Sequence, residues 1–234
     1  MKTLKTIIAA ALCLFVVNTQ AQTADEIIAK YVSAMGGAEK LNSINSLKME
    51  GSLSIQGMDI PITMTTLSKK GMRMDLEIMG SANYQVANAT KGWRFFPIQG
   101  DADPVEMSEE ELKISKDQMD LTDKLLHAKD LGYKIEYVGK EEVAGAPAYK
   151  LKVVKPGGEE SFTYIDEKTF FAVKKVSKRE INGSDMEMES NFKDFKQTAE
   201  GFWYPYTIES NVQGTISFSK IIVNAAVDEK IFNP

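Results

Sequence analysis

The amino-acid sequence predicts a mainly β protein with antiparallel strands and a small helical component. From residue 47 onward, apolar and polar residues alternate in a series of short segments, as in strands with one buried and one exposed face. Short joints rich in glycine, asparagine and aspartate connect many of these segments, which is typical of antiparallel hairpins. The strands do not alternate with helices, so a parallel sheet is not expected. We predict about 11–12 strands in a single domain spanning residues 22–234.

The first 21 residues have the pattern of a secretory signal peptide. They open with two lysines, continue through an apolar stretch at residues 7–17, and end with small residues before the expected cut. The apolar stretch is too short to span a bilayer, so we expect cleavage and export. Cys13 lies inside this stretch, directly after the bulky Leu12, and we therefore expect no lipid attachment to it.

Charge and cysteine content restrict the possible functions. The chain has a net charge of −5, and removal of residues 1–21, which carry two lysines and no acid, makes it −7. This acidic balance argues against nucleic acid as a partner and against simple attraction to anionic lipid head groups. No later stretch is long and apolar enough to span a membrane. Cys13 is the single cysteine, so the expected mature chain depends on a hydrophobic core rather than on disulfides.

A short amphipathic helix is predicted in TADEIIAKYVSAMGG, residues 23–37. Thr23 and Glu26 have the spacing of a capping box, in which each side chain accepts a hydrogen bond from the other residue's backbone N–H. The pair Gly36-Gly37 ends the helix. Its apolar face, which we expect to pack on the sheet, comprises Ala24, Ile27, Ile28, Tyr31, Val32 and Met35.

The first group of strands covers residues 47–97. In GMRMDLEIM, residues 71–79, Met72 and Met74 share one face with Leu76, whereas Arg73 and Asp75 share the other. The same alternation occurs in LKMEGSLSI and IPITMTTL. Methionine packs without fixing one arrangement, so this face suits either an ordinary core or a ligand that comes and goes.

Residues 101–131 interrupt the strands with a charged helical insertion. Ser108 and Glu111 have a second capping-box spacing, and irregular apolar positions predict a helix that is broken near Asp120. We interpret the insertion as a mobile flap or, equally, as an ordinary crossover connection. From Tyr133 the alternation resumes in seven further segments, most of them separated by glycine-containing joints.

The sequence offers few catalytic residues, and we predict that the protein is not an enzyme. His127 is the only histidine, so a histidine-rich metal site cannot form within one chain. It lies in a charged segment without the GxSxG-like context of a hydrolase. The carboxylates alternate outward or run together, so no catalytic pair is selected. We predict no catalytic residue, metal or cofactor.

Apolar side chains on inward-facing strand positions remain as the main functional feature. Eleven of the twelve methionines lie beyond residue 21, accompanied by many aromatic residues. The simpler interpretation is an ordinary sheet core covered by the first helix. A strongly curved sheet with a helical cover would instead leave an apolar cavity.

Several features together resemble the LolA/LolB-like superfamily, in particular outer-membrane lipoprotein-sorting proteins. In chain order they are the amphipathic helix, a long one-sided hairpin, the basic strand SKKGMRMDLEI, the aromatic strand ATKGWRFFP, the helical insertion and the terminal VNAAVDEKIFNP. The motifs GWRFFP and VDEKIFNP are the most characteristic. The resemblance extends over residues 23–234.

This resemblance implies an unclosed antiparallel β-barrel, covered by the N-terminal helix and a helical lid insertion, with an apolar cavity inside. It implies a soluble periplasmic carrier, since the receptor branch of the superfamily has a lipid anchor that this sequence lacks. The implied partners are acylated lipoproteins or related lipids, an inner-membrane donor and an outer-membrane acceptor. The alternative is an envelope sensor or protein-interaction module. The expected cavity residues are Met49, Leu53, Met64, Met72, Met74, Leu76, Trp93, Phe95, Met186, Met188, Phe192 and Tyr204.

A lid latch is also implied by the resemblance. In similar soluble carriers, an arginine of an Arg-Pro pair on the basic strand holds the closed lid through backbone carbonyls. The matching position here reads Lys70-Gly71, with Arg73 two residues beyond. Lys70 shares the parity of Met72, whereas Arg73 is expected on the solvent face. Lys70 is therefore the candidate latch, although lysine lacks the forked geometry of arginine.

Overall fold

A computed structural model of the chain describes residues 23–181 and 184–234, so the predicted signal peptide lies outside the described residues. Three α-helices are present in this part of the chain. They are α1 (Ala24–Ala34), α2 (Ala38–Asn42) and α3 (Glu109–Met119). Two short 3₁₀ turns cover Pro97–Gln99 and Glu229–Phe232.

The strands of the described chain form a single sheet. They are β1 (Ser46–Ile55), β2 (Met58–Leu67), β3 (Gly71–Ile78), β4 (Ser81–Asn88), β5 (Gly92–Phe95), β6 (Val105–Glu106), β7 (Lys134–Val143), β8 (Ala146–Val154), β9 (Glu160–Asp166), β10 (Ala172–Ile181), β11 (Ser184–Gln197), β12 (Trp203–Ser210) and β13 (Gly214–Val223). Their spatial order is β6-β5-β4-β3-β2-β1-β13-β12-β11-β10-β9-β8-β7.

The sheet is an antiparallel meander that does not close. Consecutive strands pair with each other from β1 to β6 and from β7 to β13. In addition β1 pairs with β13, which joins these two halves of the meander. The two edges, β6 and β7, are not paired with each other. This confirms the expected unclosed barrel with helices. The strand count is 13 rather than 11–12, because a two-residue strand such as β6 is too short to show an alternation.

Both predicted capping boxes are present at the helix starts. The Glu26 backbone N–H donates to Thr23 Oγ1 at 3.2 Å, and the Thr23 N–H donates to Glu26 Oε2 at 3.1 Å. Ser108 and Glu111 make the same reciprocal pair at the start of α3. This helix ends at Met119, beside the predicted break. These helix ends follow from local sequence alone, because each box satisfies backbone donors that the helix itself leaves free.

Strand register defines an inner and an outer face of the sheet. Met64 lies opposite Met49 on β1 and opposite Met74 on β3, so the three side chains share one face. We call this the inner face, because the helices pack on it. Ile27 of α1 packs in a fully buried cluster with Leu151 and Ile165.

Helix α3 covers the inner face at the other side of the sheet. Its last residue, Met119, is buried against Met72 of β3 and Ala87 of β4. The cover loop, which we define as residues 120–132, continues from α3 towards α1. The Lys69 N–H in the β2–β3 turn donates to the Met119 carbonyl at 3.0 Å and holds the junction in place.

The inner face therefore has two different ends. At the covered end, where β1 begins, the helices and the cover loop lie over the sheet. At the rim, where β1 ends, the chain turns in the β1–β2, β3–β4 and β12–β13 hairpins. The covered end and the rim are about a strand length apart, roughly 30 Å for a ten-residue strand.

The C-terminal motif VDEKIFNP forms a strap on the outer face. Phe232 is 1% exposed and packs directly on Gly71, where an added Cβ would lie 2.3 Å from Phe232 Cγ. Asp228 caps the short turn by accepting from the Lys230 N–H at 3.0 Å. Gly71 is therefore required by the close approach of the strap, and the position cannot hold a side chain without displacing it.

Candidate functional site

An apolar cavity of about 220 Å³ lies between the helical cover and the sheet. Helices α1 and α2, the residues that follow each of them, and the cover loop form one side. Strands β11 and β12 form the opposite side. The lining residues are Tyr31, Met35, Leu41, Ile44, Leu121, Asp123, Ala172, Phe192, Phe195, Phe202, Trp203, Tyr204 and Pro205.

The polar side-chain groups that line the cavity are two tyrosine hydroxyls, one carboxylate and the indole N–H of Trp203. Tyr31 Oη donates to Asp123 Oδ2 at 2.6 Å and so links α1 to the cover loop. The other carboxylate oxygen accepts the backbone N–H groups of Leu125 and Leu126 at 3.0 and 2.8 Å. Burial raises the pKa of Tyr31 well above its ordinary value, and the Asp123 charge raises it further. Burial likewise raises the pKa of Tyr204, so both hydroxyls stay neutral at physiological pH.

Further polar contacts tie the cover loop to its neighbours. His127 Nε2 lies 2.6 Å from Asn42 Oδ1 at the end of α2, and Lys129 pairs with Asp25 of α1 at 2.9 Å. At the start of the loop, burial opposes ionisation of Asp120. Hydrogen bonds from Lys124 and Thr122 outweigh it and lower the pKa of this carboxyl to about 2. His127 thus serves as a contact between loop and helix.

Six of the predicted cavity residues lie together in one apolar cluster on the inner face. They are Met49, Leu53, Met64, Met74, Leu76 and Tyr204. Leu76 is buried, and the other five are half-buried. The cluster extends from the covered end towards the rim. Of these six residues, Tyr204 also lines the cavity.

The remaining inner-face residues have different surroundings. Met72 is buried beneath α3, so it belongs to the core rather than to the cavity wall. Phe192 lines the cavity and lies opposite Ile208 in the register of β11 and β12. Met188 and Met186 follow on the same face of β11, progressively nearer the rim.

Trp93 and Phe95 lie on the outer face, which corrects their assignment to the cavity. In the register of β4 and β5, Trp93 lies opposite Val86, and Ala87 lies opposite Gly92. The inner-face position therefore belongs to Gly92, where an added Cβ would lie 2.5 Å from the Met107 sulfur. Phe95 instead packs against the outer-face ring of Tyr84, with 5.5 Å between ring centroids.

The latch assignment of Lys70 also differs from the structure. Lys70 forms its ion pair with Glu229 of the C-terminal strap rather than with the lid. The parity argument for Arg73 agrees with its position on the outer face. There it donates to Asp75 at 2.8 Å and to the Ile231 carbonyl at 3.3 Å. The basic strand thus holds the strap, while Lys69 contacts α3 through its backbone.

Several cavity residues had only weak sequence signals. Tyr31 and Met35 were on the predicted apolar face of the first helix, but nothing in the pattern assigned them to a cavity. Leu121 is one of the irregular apolar positions of the insertion. Asp123 has no signal of its own, because its partner Tyr31 is 92 residues away in the chain.

Two structural searches complete the description of the site. Within residues 23–181 and 184–234, no three or more histidine, cysteine, aspartate or glutamate side chains are grouped to hold a metal ion. In the same residues, the helices are all too short or too polar to cross a membrane.

The fold is an unclosed antiparallel barrel with a helical cover over an apolar cavity, and solved structures share it. A LolA superfamily protein from Nitrosomonas europaea matches with a TM-score of 0.58 and 12% identity, covering 92% of this chain and 99% of that one. A domain assigned to outer-membrane lipoprotein-sorting proteins, from Vibrio parahaemolyticus, matches with a TM-score of 0.54 and 13% identity, covering 90% and 97%. A DUF1329 family protein from Desulfovibrio piger matches with a TM-score of 0.55 and 11% identity, covering 91% of this chain and 98% of that one.

These similarities confirm the LolA-like fold predicted from the sequence motifs. At 11–13% identity they establish the fold and leave the cargo open. Comparison of the sequence with protein-family models and with curated proteins found no match.

Proposed function

We propose that this protein is a periplasmic carrier that binds acyl chains of lipoproteins, or of related envelope lipids, for transfer towards the outer membrane. The observation that carries the proposal is the apolar cavity between the helical cover and strands β11 and β12. Binding there needs no catalytic group, because each methylene removed from water contributes about 0.8 kcal/mol. A long acyl chain therefore supplies a large gross affinity by burial alone.

The size of the cavity implies that the protein changes shape when it is filled. Ligand pockets usually measure about 300–1,000 Å³, whereas this cavity measures about 220 Å³. It accommodates part of an acyl chain as it stands. Half-buried Met49, Met64 and Met74 extend the apolar surface towards the rim, and methionine side chains repack at low cost. We infer that the rest of the chain lies along these methionines.

The contacts of the cover loop are suited to opening. The loop is joined to α1 and α2 through the Tyr31–Asp123, Asp25–Lys129 and Asn42–His127 contacts. The Asp25–Lys129 and Asn42–His127 contacts are exposed and contribute little individually, about 0–1 kcal/mol for an ion pair. The Tyr31–Asp123 hydrogen bond is partly buried and is the firmest of the three. Leu121 and Leu125 of the loop are half-buried where they pack on the core, whereas Ile27 of α1 is fully buried, so displacing the loop costs less than displacing α1. We infer that the loop, and not α1, moves to admit cargo.

Titration with a fluorescent fatty-acyl probe in solution tests the proposal. Phe192→Asp places a charge in the cavity and should weaken probe binding at least about tenfold, because a buried unpaired charge is strongly unfavourable. Phe95→Asp is the matched control, since Phe95 is equally half-buried but lies on the outer face. This control should bind like the wild type.

Two outcomes would overturn the carrier proposal. Equal losses in both variants would show that the probe does not bind in the cavity. A wild-type protein that binds no acyl probe would favour an interaction module on the same fold, for which the edge strand β7 is the available surface. Transfer between an inner-membrane donor and an outer-membrane acceptor is tested afterwards, and only if the wild-type protein binds the acyl probe.

A further inference from the structure

A single row of directly opposite residues crosses the inner face over five strands. Met49 lies opposite Met64, and Met64 lies opposite Met74. The row continues onto β4 and β5, where Met74 lies opposite Gln85 and Gln85 lies opposite Arg94. Directly opposite side chains on one face of a sheet are neighbours, with their Cβ atoms about 4.5–5.5 Å apart. The row of methionines therefore ends in an amide and a guanidinium.

The charge of Arg94 is unusual for its position. Along strands β1–β5, all of which the structure describes, Arg94 is the only charged residue on the inner face. Its side chain is half-buried and has no ion-pair or hydrogen-bond partner among the described residues. The Ser108 N–H chiefly lowers the pKa of Glu111 at the start of α3, and the Arg94 charge lowers it further from a greater distance. A half-buried charge without a direct partner is unfavourable, so this one is suited to a partner that comes with a ligand.

A second polar group beside this row also lacks a partner. Asn83 is 1% exposed and lies on the same face as Gln85, two residues away along β4. Its Nδ2 donates to the Ser81 carbonyl at 2.8 Å, whereas its Oδ1 is buried and accepts no hydrogen bond from the described residues. Its neighbours across the strands are Leu76 and, by continuation of the β4–β5 register, Phe96, and neither side chain has a donor. Since buried acceptors in proteins normally have a partner, this atom is suited to a donor supplied by a bound molecule.

The two parts of the row favour different parts of one ligand. The methionine part suits an acyl chain, which gains affinity by burial. The forked guanidinium of Arg94 suits a carboxylate or a phosphate, which it can bind through two hydrogen bonds. The apolar cavity lies against β11 and β12, on the far side of β1 from Arg94. A chain that starts in the cavity and follows the methionines therefore brings its head to Arg94.

We propose that Arg94, Gln85 and Asn83 form a head-group subsite for an acyl lipid with an anionic head. The guanidinium of Arg94 pairs with the carboxylate or phosphate of the head, and the Gln85 amide donates a further hydrogen bond to it. Rotation of the half-buried Phe96 side chain opens Asn83 Oδ1 to a hydroxyl beside the anionic group. This inference rests on the proposed carrier function and narrows its cargo to anionic acyl lipids.

Competition against the fluorescent fatty-acyl probe tests the subsite. The competitors are dodecanoate, dodecyl phosphate and methyl dodecanoate, which share one apolar chain and differ in the charge of the head. The wild type should bind at least one of the two anions about tenfold or more tightly than the ester, as expected for charge-assisted hydrogen bonds. The anion that binds more tightly identifies the head group.

Arg94→Met removes the charge and continues the row of methionines. This variant should lose the preference for the anion and bind the ester as the wild type does. Its free energy of unfolding should not fall, because the charge that is removed has no direct partner in the described chain. Arg94→Lys keeps the charge without the fork and should retain part of the preference. Arg73→Met is the matched control, because Arg73 is also half-buried but lies on the outer face of β3, and it should keep the full preference.

The role of Asn83 is tested with dodecanoate that bears a hydroxyl group next to its carboxylate. The wild type should bind this ligand about threefold more tightly than dodecanoate, as expected for one neutral hydrogen bond. Asn83→Leu should bind the two ligands equally. Wild-type protein that gains nothing from the hydroxyl would overturn the role of Asn83.

The subsite and the carrier function fail in distinguishable ways. Equal wild-type affinities for the anions and the ester would overturn the subsite and leave acyl binding in place. A preference that survives Arg94→Met, or that Arg73→Met removes equally, would overturn it as well. Wild-type protein that binds neither the probe nor any of the competitors would overturn the carrier function and, with it, the subsite.

Discussion

The covered end and the rim of the inner face are built from the same apolar alternation but have opposite surroundings. At the covered end, Met72 of β3 is buried against Met119, the last residue of α3. At the rim, Met58 and Met79 are exposed to solvent. The same residue type thus fills the core at one end and forms an open apolar surface at the other. The difference indicates that stability is concentrated at the covered end and that the rim is available for contacts with a partner.

The hairpin turns repeat this contrast. The β2–β3 turn at the covered end contains Lys69 and Lys70, and the β4–β5 turn contains Lys91. The β1–β2, β3–β4 and β12–β13 turns at the rim contain no basic residue, and Met79 and Val212 in them are exposed. The β8–β9 turn, KPGGE, is polar although it lies at the rim end, so the apolar rim belongs to the strands around β1 and β12. A negatively charged surface would therefore attract the lysine-containing turns at the covered end, and it would not attract the rim turns around β1 and β12.

Removal of core volume at the covered end should have the largest effect on stability. Ile27→Ala deletes a fully buried side chain that packs with Leu151 and Ile165. We expect the free energy of unfolding in urea to fall by about 2–5 kcal/mol. Met79→Ala at the rim should change it by no more than about 0.5 kcal/mol. Similar losses at the two ends would contradict the division between them.

High pH should destabilise the covered end specifically. The pKa values of Tyr31 and Tyr204 are raised in the folded protein, so their contribution is fully present below the unfolded pKa of about 10. Above that pH, the unfolded chain loses protons that the folded protein retains. The free energy of unfolding should then fall by about 1.4 kcal/mol per pH unit for each tyrosine, until the folded pKa is reached.

Urea unfolding between about pH 9 and about pH 11 measures this loss. The Tyr31→Phe/Tyr204→Phe variant should have a shallower decline than the wild type, since phenylalanine has no proton to release. Lysines and the other tyrosines titrate in both proteins, and the difference between the two curves isolates the cavity pair. Parallel curves would show that neither hydroxyl is protected by burial.

The smallest effect is expected from the ion pair of Lys70. Both side chains of the Lys70–Glu229 pair are more than half exposed, so Lys70→Ala should lower the free energy of unfolding by less than about 1 kcal/mol. Lys91→Ala is the matched control, because its pair with Glu106 has similar exposure. Acyl-probe affinity and hydrogen exchange in residues 120–132 should be unchanged in both variants. A change confined to Lys70→Ala would restore its role as a latch.

Much of the fold was predictable because it depends on local patterns. The capping boxes at Thr23 and Ser108 located two helix starts, and the period-two alternation located most strands. The aromatic strand β5 shows where this reasoning stops. Its alternation separates Trp93 and Phe95 from Arg94 and Phe96, but it does not say which pair faces inward. The close approach of Met107 to Gly92 decides that question.

The sequence by itself determined the class of the protein: antiparallel strands, an amphipathic first helix, a helical insertion and an apolar inner face. Only the tertiary structure decided which residues form the cavity, that Tyr31 meets Asp123, that Lys70 holds the C-terminal strap, and that the apolar rim is uncovered. The physical reason is that periodicity and capping are properties of neighbouring residues. Cavities, buried hydrogen bonds and uncovered edges depend instead on which distant segments pack together.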